Sequence, residues 1–207
     1  AGMNIALESV ILGVLLLTAF LALPLWAFLS KRLDKRIAYI IGMSSWFVVQ
    51  LLLITVQPQE IGRIILFTAL AGIGVSAAHV LPDAIFPDVI EWDELHTGHR
   101  NEGIYYGVKN FLRKSTSAIA TFIALQALGL AGYQAPPDGV AIFAQNETTL
   151  TVIRMLTGPA GAALLVGAVT TAWLYPLNRK KHARMQMLLE KRRAKRAQRR
   201  LARLQNV

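Results

Sequence analysis

Cysteine is absent from the 207 residues, which excludes disulfides and thiolate metal sites. The four histidines, at 79, 96, 99 and 182, do not have ligand spacing on one expected face. There is no P-loop, no GxSxG elbow and no HExxH helix, so the common enzyme patterns are missing. Charged residues make up only 16% of the chain. Lys and Arg are missing from QPQEI (57–61) and from the whole of 133–150. Acids are few, twelve in all, and six of them crowd one stretch between residues 83 and 102.

Apolar residues fill the rest. They account for 54% of the chain, at a mean hydropathy of +0.44. A membrane-spanning helix needs about 20 mostly apolar residues. Five stretches supply them, at roughly 7–29, 37–56, 62–90, 104–132 and 152–177. These are apolar on nearly all faces, where helices of a soluble domain would alternate. The expected fold is an all-α membrane protein, with a helical half-domain over 1–177 and a basic tail over 178–207. The first stretch is too long for a cleaved signal peptide, carries Glu8 rather than a basic start, and has no small-residue cleavage site after Leu29.

The net charge of +10 is unevenly placed. Twelve of the 22 Lys and Arg residues follow Leu177, and four more are Lys31, Arg32, Lys35 and Arg36 in SKRLDKR (30–36). Cytoplasmic loops of membrane proteins carry this excess. The loops alternate accordingly, which predicts an outside N-terminus and a cytoplasmic C-terminal tail. No RNA-binding aromatic motif accompanies the tail, so nucleic acid is not an expected partner. Met185, Leu188, Leu189, Leu201 and Leu204 give the tail a weak apolar side. The tail is either solvated or drawn to anionic lipid headgroups.

Pro24 interrupts the first span, and Pro82 and Pro87 interrupt the third. Such breaks are tolerated where neighbouring helices or water satisfy the freed carbonyls. Two runs of small residues, Gly72, Gly74, Ser76, Ala77 and Ala78, then Gly158, Ala160, Gly161, Ala162 and Ala163, predict close helix approach.

Residues 79–114 read HVLPDAIFPDVIEWDELHTGHRNEGIYYGVKNFLRK. A charge near the bilayer costs several kcal/mol unless paired or wet, so this stretch is the place to look for function. His79 and Asp83, four apart on one helix face, can relay a proton, coordinate a cation or form a plain polar contact. A histidine in such a pair can change charge within the physiological range. Lys114 lies about ten residues, or about 15 Å, into the fourth span, too deep for easy snorkelling. It is a functional candidate that needs a carboxylate or a ligand; Arg113 beside it points about 100° away. Arg100 and Glu102 can pair with Asp88, Glu91 and Asp93 in a network that latches one conformation, or in a static surface network.

The run Asp88-Val89-Ile90-Glu91-Trp92-Asp93-Glu94, then Thr97-Gly98, Arg100, Glu102-Gly103-Ile104-Tyr105 and Lys114, resembles the glycoside–pentoside–hexuronide cation symporters. These are the melibiose symporter type of the major facilitator superfamily, and the agreement covers about 36 residues without gaps. The resemblance implies helices 8–12 of a twelve-helix fold that works by alternating access between two halves. Lys114 matches a lysine near the sugar and cation sites. His79 stands where the melibiose symporter has an aromatic sugar-site residue, and Asp83 where it is apolar. Asp88, Glu91 and Arg100 match its cytoplasmic gate region, to which Asp93, Glu94, Glu102 and Arg113 are assigned with them. The implied activity is cation-coupled symport of a sugar or glycoside, or of a lipid-like amphiphile, with Na+ or H+ as coupling ion and no other cofactor. The implied partners are an N-terminal half or another membrane subunit, membrane lipid and a small-molecule substrate. A transporter-derived, non-transporting subunit of a larger membrane complex is the alternative.

Overall fold

The computed structural model describes residues 5–56, 60–135 and 145–205. Residues 136–144 of the 133–150 stretch, part of QPQEI and the side chains of Leu201 and Leu204 lie outside the described residues. The elements are α1 (Ile5–Arg32), α2 (Lys35–Ile54), α3 (Ile61–Thr97), α4 (Glu102–Leu130), α5 (Glu147–Met155), α6 (Gly161–Leu174) and α7 (Arg179–Gln205). No strand occurs among them, as an all-α fold requires.

Four helical stretches have the length and apolarity to cross a membrane: Leu7–Arg32, Lys35–Ile54, Ile61–Thr97 and Glu147–Leu174. α4 has the length, 29 residues, but Lys109, Arg113 and Lys114 crowd its first half and it is not among the four. The last of the four contains a π turn, Leu156–Ala160, between α5 and α6. Pro159 inside that turn has no N–H to give the ordinary helical bond, and a single π turn is how helices absorb such a misfit. Gln50 of α2 donates its side-chain amide to the Thr157 carbonyl there.

α3 lies against both α1 and α2, and α6 packs on α2. The core is Ala22, Trp26, Ala38, Met43, Ala77, Leu81 and Leu165, with Trp46, Phe47 and Ile73 packed around it. The first small-residue run is what permits this. A Cβ on Gly72 would strike Thr18, the Leu15 carbonyl and the Ala19 amide. On Gly74 it would strike Trp46, and on Gly42 it would strike Ala77 and Trp26. The Trp26 indole donates to the Ile73 carbonyl at 2.9 Å, so the buried ring has both its packing and its polar partner. The second run works in the same way, with Gly158 against Ile54 and Gly161 against Gln50.

The third span is longer than the apolar stretch implied. At 37 residues α3 extends about 55 Å, against about 30 Å of hydrocarbon. Glu91, Asp93 and Glu94, beyond the 62–90 stretch, therefore ride with Asp88 on its final turns. Gly98, at φ 76°, stops the helix with its N–H on the Glu94 carbonyl. That left-handed position favours glycine.

Gly72→Leu should destabilise the purified protein by about 1–3 kcal/mol, the range for overpacking against a backbone that cannot retreat. Gly13→Ala is the control, since nothing lies within 4 Å of that position. Equal thermal unfolding temperatures for the two variants in detergent would contradict the packing described.

Candidate functional site

At one end of the bundle the basic loop, the end of α3, the end of α6 and the start of α7 converge. Asp34 closes two helices at once. One carboxylate oxygen accepts from the Arg36 N–H at the start of α2 (3.1 Å), the other from the Arg179 N–H at the start of α7 (2.9 Å). Arg36 donates to the Tyr175 and Trp173 carbonyls at the end of α6 (3.0 and 2.6 Å). Arg179 donates to the Arg32 carbonyl at the end of α1 (3.1 Å). Helix ends leave unpaired backbone groups, and here charged side chains of neighbouring segments take them.

Asp88 sits behind this junction with its side chain only 12% exposed. Lys35 reaches both its oxygens, at 2.7 and 2.9 Å, and the Ala84 carbonyl at 2.8 Å. His182 of α7 places Nδ1 3.7 Å from Asp88, an ion-pair distance when the ring is protonated but too long for a hydrogen bond. Tyr175, in the link beyond α6, has its pKa pushed up to about 12, first by burial and then by the Asp88 and Asp34 charges. Its hydroxyl is buried without a hydrogen-bond partner, and it stays neutral across the physiological range.

Six residues further along α3, the Glu94 side chain is 9% exposed. Arg193 of α7 donates its Nε to it at 3.0 Å, and Arg192 donates to the Leu95 carbonyl. The hydrogen bond to Glu94 is the main reason the Arg193 pKa is raised. Met185 and Leu189 of the tail are buried with Leu177 against Leu95 and Tyr175. The first half of the tail thus docks by its apolar side, while most of its other described residues stay exposed. The apolar side it shares with Leu188 is used, at Met185 and Leu189, against α3, while Leu188 stays exposed.

The anticipated latch is re-partnered as well. Arg100 pairs with Glu102 (Nε to Oε1, 2.7 Å) and Glu94 (3.5 Å), not with Asp88 or Glu91. Gly98 turns the chain back onto the last turn of α3, and Asp88 is six residues, about 9 Å, further down the helix. Asp93 and Tyr105 line one open pocket between the end of α3 and the start of α4. Glu91 keeps one buried oxygen without a hydrogen-bond partner. Among the described residues no three His, Asp or Glu side chains group as a metal site.

His79 and Asp83 share a face of α3 but do not pair. The His79 ring bonds its own helix at the Val75 carbonyl, 2.9 Å away, which is an ordinary helical carbonyl and not one released by Pro82 or Pro87. Asp83 pairs instead with Lys109 of α4. Lys114 and Arg113 are exposed and meet no carboxylate among the described residues, because α4 buries none of its residues against this chain. The expected burial of Lys114 is therefore not provided by this chain itself. Lys35, Lys109, His182 and Arg193 were missed as site residues. Lys35 and Arg193 lay hidden in runs of positive charge, although Asp34 before an apolar helix was a legible N-cap signal.

Met185→Asp should undock the tail and speed limited tryptic cleavage at Lys191 and Arg192 at least several-fold. Arg193→Ala, which takes one cation from buried Glu94, should do so by less. Unchanged cleavage in both variants would contradict the docked α7.

Residues 2–179 match the family model described as MFS/sugar transport protein. An uncharacterized symporter of Synechocystis sp. is 33% identical over 175 residues, covering 84% of this chain and 32% of that protein. The sodium-dependent lysophosphatidylcholine symporter 1-A of Danio rerio is 27% identical over 185 residues, 86% of this chain and 34% of that protein. A Salmonella typhimurium protein named as a sulfoquinovose importer is 30% identical over 180 residues, again 86% and 34%. The chain thus spans about a third of the length of these relatives. The stretch 88–114, on which the melibiose-symporter resemblance rests, falls inside the matched span, and the four membrane-length helices place it in a bilayer: the chain is an integral membrane protein and belongs to the MFS/sugar transport family.

Proposed function

We propose that this chain supplies the second-half helices of a cation-coupled symporter that works by alternating access. The observation that carries the reading is the division of labour in the bundle. The acids at the end of α3 are enclosed by the chain's own cations, while α4 with Lys114 is left open along its length. An interface to a second helical half would cover that open side. The basic loop and tail then lie in the cytoplasm and the N-terminus of α1 outside. Asp88, Glu91, Asp93, Glu94, Arg100, Glu102 and Arg113 form the cytoplasmic gate region, and His79, Asp83 and Lys114 line the pathway.

The substrate class follows from the charge on α4. Lysophosphatidylcholine carries a phosphate and sulfoquinovose a sulfonate, and Lys114 offers the matching sign. The proposed substrate is a sugar or amphiphile that bears an acidic oxyanion. Such a group recovers, in the closed site, the partner that a buried ammonium requires. Sodium is the proposed coupling ion, in line with the names of the sodium-dependent lysophosphatidylcholine symporters.

In the complete transporter, Lys114→Gln should cut uptake by about tenfold or more, the scale of losing one charged contact, with normal surface expression. Unchanged uptake removes Lys114 from the site. Stable copurification with a larger membrane complex, and no uptake at all, would instead favour a structural subunit. Replacing Na+ by K+ should abolish uptake, and His79→Gln should keep the wild-type profile between about pH 5.5 and 8. A flattened profile in His79→Gln would assign the coupling to protons.

A further inference from the structure

Among the described residues, α4 is fastened near its two ends. At the outer end Asn146 and Thr149 donate to the Ala131 carbonyl, at 3.2 and 3.0 Å. At the inner end the Lys109 ammonium pairs with Asp83. The same ammonium lies 4.6 Å from the Phe86 ring centre and 5.5 Å from that of Tyr106. Phe86 in turn meets Tyr106 and Tyr105 edge-on, at 5.1 and 6.5 Å. Between these fastenings no residue of Glu102–Leu130 is buried.

The inner fastening sits on an unusual turn of α3. Asp83 and Phe86 lie between Pro82 and Pro87. Neither proline has an N–H, so the Ala78 and Asp83 carbonyls lose their ordinary helical donors. An aromatic-flanked ion pair on that turn is a defined attachment point, since a cation held over a ring and against a carboxylate has a preferred direction. Lys114 is five residues beyond Lys109, about 7.5 Å along α4 and about 140° around it. The rotation of α4 about its axis therefore decides where Lys114 faces.

We propose that Asp83 and Lys109 are a positioning pair: their contact sets the rotation of α4 and so aims Lys114 at the substrate pathway. The proposal rests on the reading of Lys114 given above, and its direct test is independent of transport. Asp83 touches no substrate in this role; it acts through Lys109.

The test uses the complete transporter, with Lys114→Cys as the reporting thiol in a chain that has no native cysteine and any cysteine elsewhere replaced. Modification of that thiol by a membrane-impermeant maleimide is compared in otherwise wild-type, Asp83→Asn and Lys109→Gln backgrounds. Each single change should shift the rate by roughly fivefold or more, the lower range of coupling between sites, and Lys109→Arg should restore it. With Lys114 intact, Asp83→Asn should lower apparent substrate affinity while surface expression stays normal. Charge exchange, Asp83→Lys with Lys109→Asp, should regain part of the lost uptake. Equal labelling rates in all backgrounds would overturn the pair, whatever happens to uptake. Shifted labelling with uptake indifferent to Lys114→Gln would keep the pair and remove Lys114 instead. If a single variant is lost from the membrane, Lys109→Arg against wild type still decides: a labelling rate unlike wild type overturns the geometry.

Discussion

A helix that ends near hydrocarbon leaves backbone groups that lipid cannot satisfy, and this chain meets that constraint at one crowded junction. Asp34 holds the first N–H groups of α2 and α7, Arg36 the last carbonyls of α6, and Arg179 the last carbonyl of α1. Four helix ends are tied by three side chains. Lys35, between two of them, then has one available direction, inward to Asp88. The charge bias that orients membrane proteins is here also the structure that closes the bundle. The same residues do both because a guanidinium offers five donors in a rigid fork.

α3 and α4 are opposites. α3 is stripped of side chains at Gly72, Gly74 and Ala77 so that α1 and α2 can close on it, and its far end carries acids that the rest of the chain neutralises. α4 packs on almost nothing of its own chain, which leaves it free to serve a surface that other helices complete. The proposed symporter half calls for a rigid, self-satisfied body of this kind beside a helix hung from its ends. Large motions in such proteins are rocking movements of rigid units around a site at their interface, and the two kinds of helix provide the body and the face.

The tail joins the body rather than the solvent. Twelve positive charges after Leu177 would repel one another in a free helix. The Arg193–Glu94 pair and the burial of Met185 and Leu189 draw the first half of α7 onto the end of α3. Glu94 is thereby shared by Arg193 and Arg100, so the end of α3 answers to the tail and to the α3–α4 turn together. An ion pair this enclosed is costly to break from one side, because the buried carboxylate loses a close cation.

Apolar length and composition alone were enough to read four membrane-length helices, because a span of lipid imposes a minimum run of apolar residues on any chain that crosses it. The same run hid where α3 ends, since helix formation past Ile90 depends on Gly98 and not on hydropathy. The small runs at 72–78 and 158–163 were legible as close packing, for only residues of that size let two backbones approach. The family pattern from Asp88 to Lys114 was legible too, being a matter of order and spacing. What the sequence could not supply was partnership. Asp83 lies four residues from His79 and 26 from Lys109, and local spacing favours the former, yet folding brings α4 across and gives the carboxylate to Lys109. Arg193 and Glu94 are 99 residues apart; Asp34 and Arg179 are 145 apart. Which charge meets which is decided by helix packing across the bundle, because an ion pair depends on distance in space, and a sequence records only distance along the chain.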